Sequence, residues 1–369
     1  MKQNIMIIGG GQLCLMMCEE SYKLKDNIDK IYIYSDKLNT PCSYIDFIKY
    51  NYIELIIDDY NNENKIKEIA SKCNYITYEF ESFNTKVFES SDIKKKVFPS
   101  IDFLKIIRDK YKQKKFIKNN IFFFEDTNFE EINCFYDIIN FIKKYDYPVF
   151  LKSRFGAFDG RGNFLIKDVN DLKNLKNIES NIYFIEKFIN FDKELSIAGC
   201  KNKKDEIISY NIVENTHKNS ILVETKFPAM NLSSKITKKI NKIFESILKL
   251  LDTKGIICVE LFLKDDLIYY NELCLRVHNS MHYTLNACVN SQFENHLRSI
   301  LELHIDTNKY LFNGIFYNII SNLQELEDVD NKEYLDRKKH YIKMYNKEAT
   351  GIRKIGHVTI VKNNLSIQI

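Results

Sequence analysis

Residues 5–13 read Ile-Met-Ile-Ile-Gly-Gly-Gly-Gln-Leu, an apolar run followed directly by three glycines and a polar-apolar segment. The four apolar residues predict a buried strand at Ile5–Ile8, and the pattern from Gln12 to Leu24 predicts a helix. A glycine turn between a strand and a helix directs free N–H groups and the positive end of the helix dipole at one point. The stretch predicts the first strand-turn-helix unit of an α/β domain. At the glycines, a bound phosphate and a plain tight turn are the two interpretations.

Short apolar runs continue to alternate with helical segments beyond this unit. Further strands are predicted at Ile31–Tyr34, Ile53–Ile57 and Tyr75–Thr77. This alternation is typical of a parallel α/β domain. Pro99-Ser100 marks a boundary, after which one basic helix is predicted from Ile101 to about Lys118.

The rest of the chain contains a mixture of strands and helices. Predicted elements are the strands Val149–Lys152, Tyr183–Phe188 and Glu194–Gly199, the helix Thr237–Leu251, the hairpin strands Ile256–Leu263 and Leu267–Leu273, and short strands from about Asp306.

Composition excludes several classes of protein. The 369 residues carry 54 Lys and Arg against 50 Asp and Glu, a balance unlike that of nucleic-acid or membrane-surface proteins. No apolar run reaches the roughly 18 residues of a membrane span, and the N-terminal run is too short for a secretory signal. Nine scattered cysteines without a Cys-x-x-Cys pair indicate reduced thiols and a cytoplasmic protein.

A second glycine cluster, Gly156, Gly160 and Gly162, follows the predicted strand that ends at Lys152. Successive N–H groups in such a loop form a concave anion site, and the lysine adds positive charge. A hairpin loop with surface charges is the alternative. The first cluster has Cys14 where the dinucleotide fingerprint requires a third glycine, which disfavours a nicotinamide cofactor.

The predicted hairpin places acidic residues on apolar strands, where a carboxylate is costly unless a cation or metal accompanies it. Glu260 and Glu272, with the amide oxygen of Asn271, are the ligand types that magnesium takes beside nucleotide phosphates. With a three-residue turn the two glutamates share a face, and with a two-residue turn they do not. The sequence leaves this register open, and solvent-facing glutamates are the alternative.

The polar segment from Arg276 to His282 follows the hairpin. His278 and His282 have a zinc-type spacing, but a zinc protease requires glutamate where Asn279 stands. The segment therefore favours contacts with a substrate.

Taken together, these segments resemble the 5-(carboxyamino)imidazole ribonucleotide synthase family nearly from end to end. The matching strings, in chain order, are Gly9–Leu13, Thr77–Glu81, Arg108–Lys110 with Lys114, Glu194–Ser196, Glu214–His217, Asn271–His282, Ser291–Glu294 and Arg353–His357.

The resemblance implies an α/β protein with an ATP-grasp fold, an N-terminal Rossmann-like (pre-ATP-grasp) domain and a small C-terminal β-rich domain. The implied boundaries are 1–98, 99–305 and 306–369. A homodimer and a separate mutase protein that takes the product are further implications.

Site residues follow from the resemblance position by position. ATP contacts are implied for Lys110, Lys152, Glu194, His217, Asn271 and Glu272. They are also implied for a loop that would close as a lid: Ala157, Phe158, Asp159, Gly160, Arg161, Gly162 and Asn163. The strand edge implied for the adenine is Glu186, Lys187, Phe188 and Ile189. Magnesium is implied at Glu260, Glu272 and Asn271. Contacts to the aminoimidazole ribonucleotide and the bicarbonate-derived group are implied for Asp159, Arg276, His278, Asn279, Lys347 and Arg353.

The implied reaction uses ATP and bicarbonate to form carboxyphosphate and then carboxylates the amine of 5-aminoimidazole ribonucleotide. Departures from the family pattern are Cys14, Lys110, Ala157, Phe158, Leu275, Val277 and Met281. Because the charged positions remain, a slower enzyme is expected rather than an inactive one. The alternatives are another ATP-grasp carboxylate-amine ligase and a drifted, non-catalytic nucleotide-binding relative.

Overall fold

The structure is a computed structural model, and it describes residues 1–156, 162–175, 182–305, 309–321, 340–347 and 351–362. Within these ranges the strands form three sheets, two of four strands and one of nine. No helix in the same ranges is both long enough and apolar enough to cross a membrane.

The N-terminal residues form a parallel four-stranded sheet in the order β3-β2-β1-β4. Its elements are β1 (Gln3–Ile8), α1 (Gln12–Glu20), β2 (Ile28–Ser35), β3 (Ile53–Ile57), α2 (Glu63–Lys72), β4 (Tyr75–Tyr78) and α3 (Ser91–Lys94). The central strand β1 is buried from Ile5 to Ile8, as a strand covered on both faces requires. The predicted parallel α/β arrangement is confirmed here.

Two predicted helices differ from the prediction, one by ending earlier and the other by a break in its middle. The first becomes a 3-10 turn at Ser21–Leu24, where Oγ of Ser21 donates to the carbonyl of Cys18. The basic helix is two helices, α4 (Ile101–Ile107) and α5 (Lys110–Asn120). Asp109 causes the break, because its carboxylate accepts the N–H groups of Tyr111 and Lys112 and caps α5.

The second sheet is small and antiparallel, with the order β5-β8-β6-β7. Its elements are β5 (Phe129–Ile132), α6 (Phe135–Tyr145), β6 (Val149–Ser153), β7 (Asn163–Ile166) and β8 (Tyr183–Lys187). Helix α6 buries Ile138 and Phe141 in a core that also contains Leu151 and Ile185. This separate core makes the sheet a rigid platform on which β6 and β8 carry site residues.

The third sheet has nine strands, in the order β14-β13-β9-β11-β12-β15-β17-β16, with β10 paired to β9. Its strands are β9 (Lys193–Lys201), β10 (Ile207–Ser209), β11 (Val213–Lys218), β12 (Ile221–Phe227), β13 (Ile257–Lys264), β14 (Leu267–Cys274), β15 (Asn313–Ile320), β16 (His340–Met344) and β17 (Lys354–Lys362). The strands predicted for the C-terminal segment thus extend this nine-stranded sheet, which is called the central sheet.

Three helices accompany this sheet: α7 (Ser234–Leu251), α8 (Thr284–Ala287) and α9 (Gln292–Ile300). Helix α7 buries one apolar stripe, including Ile240 and Ile247, in the core that β9, β13 and β14 share. The N-terminal helix α1 packs on α9, so the first sheet and the large sheet meet across a buried interface.

Candidate active site

A cavity of about 650 Å³ lies where the three sheets meet. Its walls come from the glycine turn before α1, helix α5, strands β6 to β9, the hairpin β13–β14 and the chain before β17. The predicted site residues that line it are Lys110, Lys152, Asn163, Glu186, Phe188, Ile189, Glu194, His217, Glu260, Asn271, Glu272, Arg276, His278, Asn279, Lys347 and Arg353.

Of the other seven predicted site residues, two are described but do not line the cavity, and five are not described. Ala157, Phe158, Asp159, Gly160 and Arg161 lie outside the described residues. Gly162 is not a wall residue, and its carbonyl accepts the N–H of Ser153. The side chain of Lys187 points away from the cavity, because its ammonium group binds the carbonyls of residues 145, 146 and 147 at 2.7–3.1 Å.

The acidic hairpin faces the cavity with all three predicted ligands. A two-residue turn of Asp265 and Asp266, both with positive φ, joins the strands. The expectation that this turn length separates the glutamates is wrong, because a β-bulge next to Glu260 shifts the register by one residue. Glu260 consequently pairs with Glu272, and the side-chain nitrogen of Asn271 lies 3.4 Å from the Glu260 carboxylate.

The two hairpin glutamates differ in their electrostatic surroundings. Burial and the neighbouring carboxylates of Glu194 and Glu272 raise the pKa of Glu260 to about 7. Burial also opposes the charge of Glu272, but the ammonium group of Lys110, 3.0 Å away, lowers the pKa of Glu272 below its usual value. A carboxyl with a raised pKa at the centre of the site is stabilised in its charged form by an added cation.

Three charged side chains on the walls of the cavity form a second cluster. One carboxylate oxygen of Glu186 lies 2.7 Å from Nζ of Lys114, and the other lies 2.5 Å from Nζ of Lys152. Burial opposes the charge of Glu186, yet the two ammonium groups lower its pKa to about 2. The cluster therefore carries two positive charges and one negative charge into the cavity.

The start of α5 and the end of β6 are fixed to each other beside this cluster. The buried guanidinium group of Arg154 binds both carboxylate oxygens of Asp109, at 3.1 and 2.6 Å. The backbone N–H of Lys110 also donates to the carbonyl of Arg154. These contacts set the position of Lys110 and Lys114 relative to Lys152.

An apolar slot lies next to the cluster at the end of β8. The rings of Phe150 and Phe188 are stacked with centroids 6.3 Å apart, and Ile189 follows on the same wall. At the far side, Nδ1 of His217 lies 2.7 Å from the carboxylate of Glu194. Burial opposes protonation of His217, but its bond with Glu194 raises the pKa of the ring. The apolar slot suits a flat base, and the pair of Glu194 and His217 suits a sugar with hydroxyl groups.

The segment after the hairpin brings Arg276, His278 and Asn279 to the cavity. Burial and the positive charge of Arg276 lower the pKa of His278 well below its usual value, so the ring is neutral. Its Nε2 lies 3.3 Å from Glu260. Both polar atoms of the Asn279 side chain are buried, and neither has a hydrogen-bond partner among the described residues. A buried amide in this state is a strong candidate for contact with a ligand.

The glycine turn before α1 holds a carboxylate of the chain itself. The side chain of Glu79, which follows β4, accepts the N–H groups of Gly11 and Cys14. A Cβ atom at Gly11 would lie 2.7 Å from this carboxylate, which explains the glycine there. Of the two interpretations of this turn, a bound phosphate and a plain tight turn, the structure favours the second, because Glu79 binds the N–H groups of Gly11 and Cys14.

Sequence reasoning missed several wall residues. Glu79 and Lys114 belong to sequence segments that match the family, but the resemblance implied no site role for either residue. Lys114 stands one helical turn after Lys110, a spacing that puts both on one face of α5. Gln12 accepts a hydrogen bond from Nζ of Lys347 and so links the first turn of α1 to the C-terminal cations. No sequence signal identified this link.

The site combines groups that suit a ligand with several phosphates and a divalent cation. Two carboxylates and an amide face one end of the cavity, and the ammonium groups of Lys110, Lys114 and Lys152 lie around them. A second group of cations on the walls, Arg276, Lys347, Arg353 and Lys354, stands on other segments of the chain and is called the second cationic end.

Three segments of the chain match known protein families. Residues 1–108 match the ribonucleotide synthetase preATP-grasp domain, and residues 123–293 match the ATP-grasp domain. Residues 315–367 match the phosphoribosylaminoimidazole carboxylase C-terminal domain.

Individual relatives cover almost the whole chain. The phosphoribosylaminoimidazole carboxylase of Ogataea methanolica is 32% identical over 378 residues, which cover 99% of this chain and 67% of the relative. The chain spans only about two thirds, 64–67%, of the length of such fungal relatives. The N5-carboxyaminoimidazole ribonucleotide synthase of Staphylococcus aureus is 29% identical, with coverage of 98% and 94%.

A solved structure of a similar protein contains ligands. The N5-carboxyaminoimidazole synthase of Aspergillus clavatus, in complex with ADP and 5-aminoimidazole ribonucleotide, superimposes with a TM-score of 0.83 at 27% identity. The match covers 99% of this chain and 95% of that chain.

Proposed function

Because the chain belongs to the N5-carboxyaminoimidazole ribonucleotide synthase family, we propose that it carboxylates the amine of 5-aminoimidazole ribonucleotide. ATP and bicarbonate are consumed, and ADP and phosphate are released. The fold is the ATP-grasp fold with an N-terminal preATP-grasp domain and a C-terminal domain, as the resemblance implied. Membership of this family supports the activity of a ligase in purine biosynthesis.

One observation carries the proposal: the acidic hairpin lines the same cavity as two groups of cations, which stand on different segments of the chain and are called the two cationic ends. Lys110 and Lys152 stand at the first end, beside the apolar slot of Phe188 and Ile189. We assign the triphosphate of ATP to this end and the adenine to the slot. The pair of Glu194 and His217 takes the ribose hydroxyl groups, since a carboxylate accepts hydrogen bonds from hydroxyl groups.

Magnesium fits the residues of the hairpin. Glu260, Glu272 and the amide oxygen of Asn271 supply oxygen ligands on one wall, where burial and the neighbouring carboxylates of Glu194 and Glu272 raise the pKa of Glu260 and so favour an added cation. When bound, the ion neutralises charge on the β- and γ-phosphates. Glu260, Glu272 and Asn271 would hold the ion.

The second cationic end suits the ribonucleotide. Arg276, Lys347 and Arg353 supply the positive charge that a sugar phosphate requires. Asn279 offers both a donor and an acceptor from its unpartnered amide, and His278 is a neutral ring. We assign these residues to the aminoimidazole ribonucleotide and the carboxyl group that it receives.

The reaction needs little acid–base chemistry from side chains. A bicarbonate oxygen attacks the γ-phosphorus of ATP, the bond to the β-γ bridging oxygen breaks, and ADP leaves with carboxyphosphate as the other product. The exocyclic amine then attacks the carboxyl carbon, phosphate leaves, and the amine loses a proton. The residues contribute by holding the two substrates in line and by stabilising phosphate charge.

Steady-state phosphate release tests the function. We expect release from ATP to require both bicarbonate and 5-aminoimidazole ribonucleotide, with ADP formed in equal amount. Release that does not respond to the ribonucleotide, despite ATP binding, would instead favour the drifted nucleotide-binding relative. A different amine acceptor that stimulates release would favour another ATP-grasp ligase.

Four further expectations stay proposals: the domain boundaries, the cytoplasmic location, the homodimer and the mutase partner. The domain boundaries 1–98, 99–305 and 306–369 follow the resemblance, and the last segment joins the central sheet through β15, β16 and β17. All nine cysteines are free thiols, which fits the cytoplasm. A homodimer and a separate mutase partner are also proposed on the resemblance, and sedimentation of the purified chain tests the dimer.

A further inference from the structure

Lys114 is a buried charge to which the reaction assigns no role. Its side chain is 5% exposed, and its ammonium group lies 2.7 Å from Glu186. The same nitrogen is 3.4 Å from the carbonyl of Tyr270 and faces the rings of Phe129 and Tyr270 at 5.7 and 5.9 Å. An ammonium group is costly to bury, so this position requires a compensating interaction.

Glu186 is the compensating group, and its carboxylate forms ion pairs with two ammonium groups. Lys114 takes one carboxylate oxygen and Lys152 takes the other, at 2.5 Å. Without Lys114, the carboxylate would have Lys152 as its one ammonium partner among the described residues. Lys152 would then be neutralised, because an ion pair in a buried site is held strongly.

The geometry of α5 supports a fixed role for Lys114. The helix begins at the Asp109 cap, and Arg154 ties that cap to the end of β6. Lys114 lies one turn into the helix, and its ammonium group reaches Glu186 on β8. The pair therefore connects the helix to the strand that starts the adenine slot.

We propose that Lys114 is a positioning residue for the nucleotide: it balances the charge of Glu186 and so leaves the charge of Lys152 available to the phosphates of ATP. This inference rests on the proposed nucleotide end of the cavity. Lys114 acts through Glu186 and Lys152, and the effect of its removal depends on the presence of the Glu186 carboxylate.

The test is a double-mutant comparison by isothermal titration with MgADP on the full chain. Lys114→Met is expected to weaken MgADP binding about tenfold, while Lys114→Arg, which keeps the charge, stays within about threefold of the unaltered chain. Glu186→Gln combined with Lys114→Met removes both charges. The proposal predicts that the double variant binds MgADP within about threefold of Glu186→Gln alone.

Two results overturn the inference. One is a double variant that binds MgADP at least about tenfold more weakly than Glu186→Gln, which would mean direct contact between Lys114 and the nucleotide. The other is unchanged binding by Lys114→Met. Thermal melting controls for folding, and if Lys114→Met does not fold, the comparison of the double variant with Glu186→Gln still decides.

Steady-state kinetics separate this role from a structural one. In Lys114→Met, KM for ATP should rise about tenfold while KM for the ribonucleotide stays within about twofold, because only the nucleotide end loses charge. Failure of the proposed function has a different signature. It would leave the unaltered chain without ribonucleotide-stimulated phosphate release, whereas the MgADP comparison does not depend on that stimulation.

Discussion

Glu260 and Glu272 lie directly opposite one another on β13 and β14, although a two-residue turn joins the strands. A regular hairpin with this turn would pair Glu260 with Asn271 and turn Glu272 to the other face. The bulge adds one residue to β14 and brings both carboxylates to the cavity. The acidic site therefore depends on a local irregularity of the hairpin.

Neutralising one hairpin carboxylate should abolish most of the activity. Glu272→Gln is expected to lower kcat at least about 100-fold, because the charge that holds the metal and orients Lys110 is lost. Phosphate release across a magnesium titration measures this. Asp266→Asn, in the turn of the same hairpin, is the matched control and should retain activity within about twofold. Equal activity of the unaltered chain and Glu272→Gln would refute the metal assignment.

Removing charge from the second cationic end should affect one substrate selectively. Lys347→Met is expected to raise KM for the ribonucleotide about tenfold or more and to leave KM for ATP nearly unchanged. Initial rates with each substrate varied in turn provide both values. Lys249→Met, an exposed lysine paired with Glu245 on α7, serves as the control. A parallel rise in both KM values would argue against separate substrate ends.

The buried pair of Asp109 and Arg154 should contribute to stability. Asp109→Ala leaves the Arg154 side chain, 7% exposed, with the Glu131 carboxylate alone and also removes the cap of α5. The expected loss in the free energy of unfolding is about 3 kcal/mol, measured by urea denaturation. Asp92→Ala, at an exposed carboxylate, should change it by less than about 0.5 kcal/mol. Similar losses for both variants would contradict this.

His296 should make the fold sensitive to acid. Its Nδ1 accepts the N–H of Ile256, its Nε2 lies 2.8 Å from Oγ1 of Thr77, and burial lowers the pKa of the ring from 6.5 to about 3. Below pH 6.5 the unfolded chain binds a proton that the folded chain does not, so this contribution to stability is full above pH 6.5 and falls with pH.

The difference between two variants isolates this contribution. Between about pH 6.5 and pH 5 the loss of stability in the unaltered chain should exceed that in His296→Gln by about 1.5 kcal/mol. Urea denaturation at several pH values measures both curves. Parallel curves would mean that the folded chain protonates His296 as readily as the unfolded chain.

The apolar periodicity of the sequence was enough to predict most strands of the first sheet and the hairpin. Ile53–Ile57 agrees at both ends, and Leu267–Leu273 differs by one residue. The break before α5 was not predicted, because Asp109 acts as a helix cap only once its carboxylate turns toward the following N–H groups. Periodicity carries no information about that choice.

The site was predicted less completely than the fold, and the reason is physical. The direction of a side chain depends on contacts distant in sequence, as Lys187 shows by binding three carbonyls around residue 146. Glu79 was overlooked for the same reason, since it meets the glycine turn 68 residues earlier in the chain. Residue types and spacing could predict the chemistry of the cavity, and only the fold identified Gln12, Glu79 and Lys114 as wall residues.

Transfer of an oxygen atom from bicarbonate to phosphate tests the central claim most directly. The chain is supplied with ATP, 5-aminoimidazole ribonucleotide and freshly dissolved ¹⁸O-labelled bicarbonate, and the released phosphate is analysed by mass spectrometry. If bicarbonate attacks the γ-phosphate in this cavity, each phosphate carries one oxygen from bicarbonate, and release depends on the ribonucleotide. Phosphate whose new oxygen comes from water alone would contradict the account.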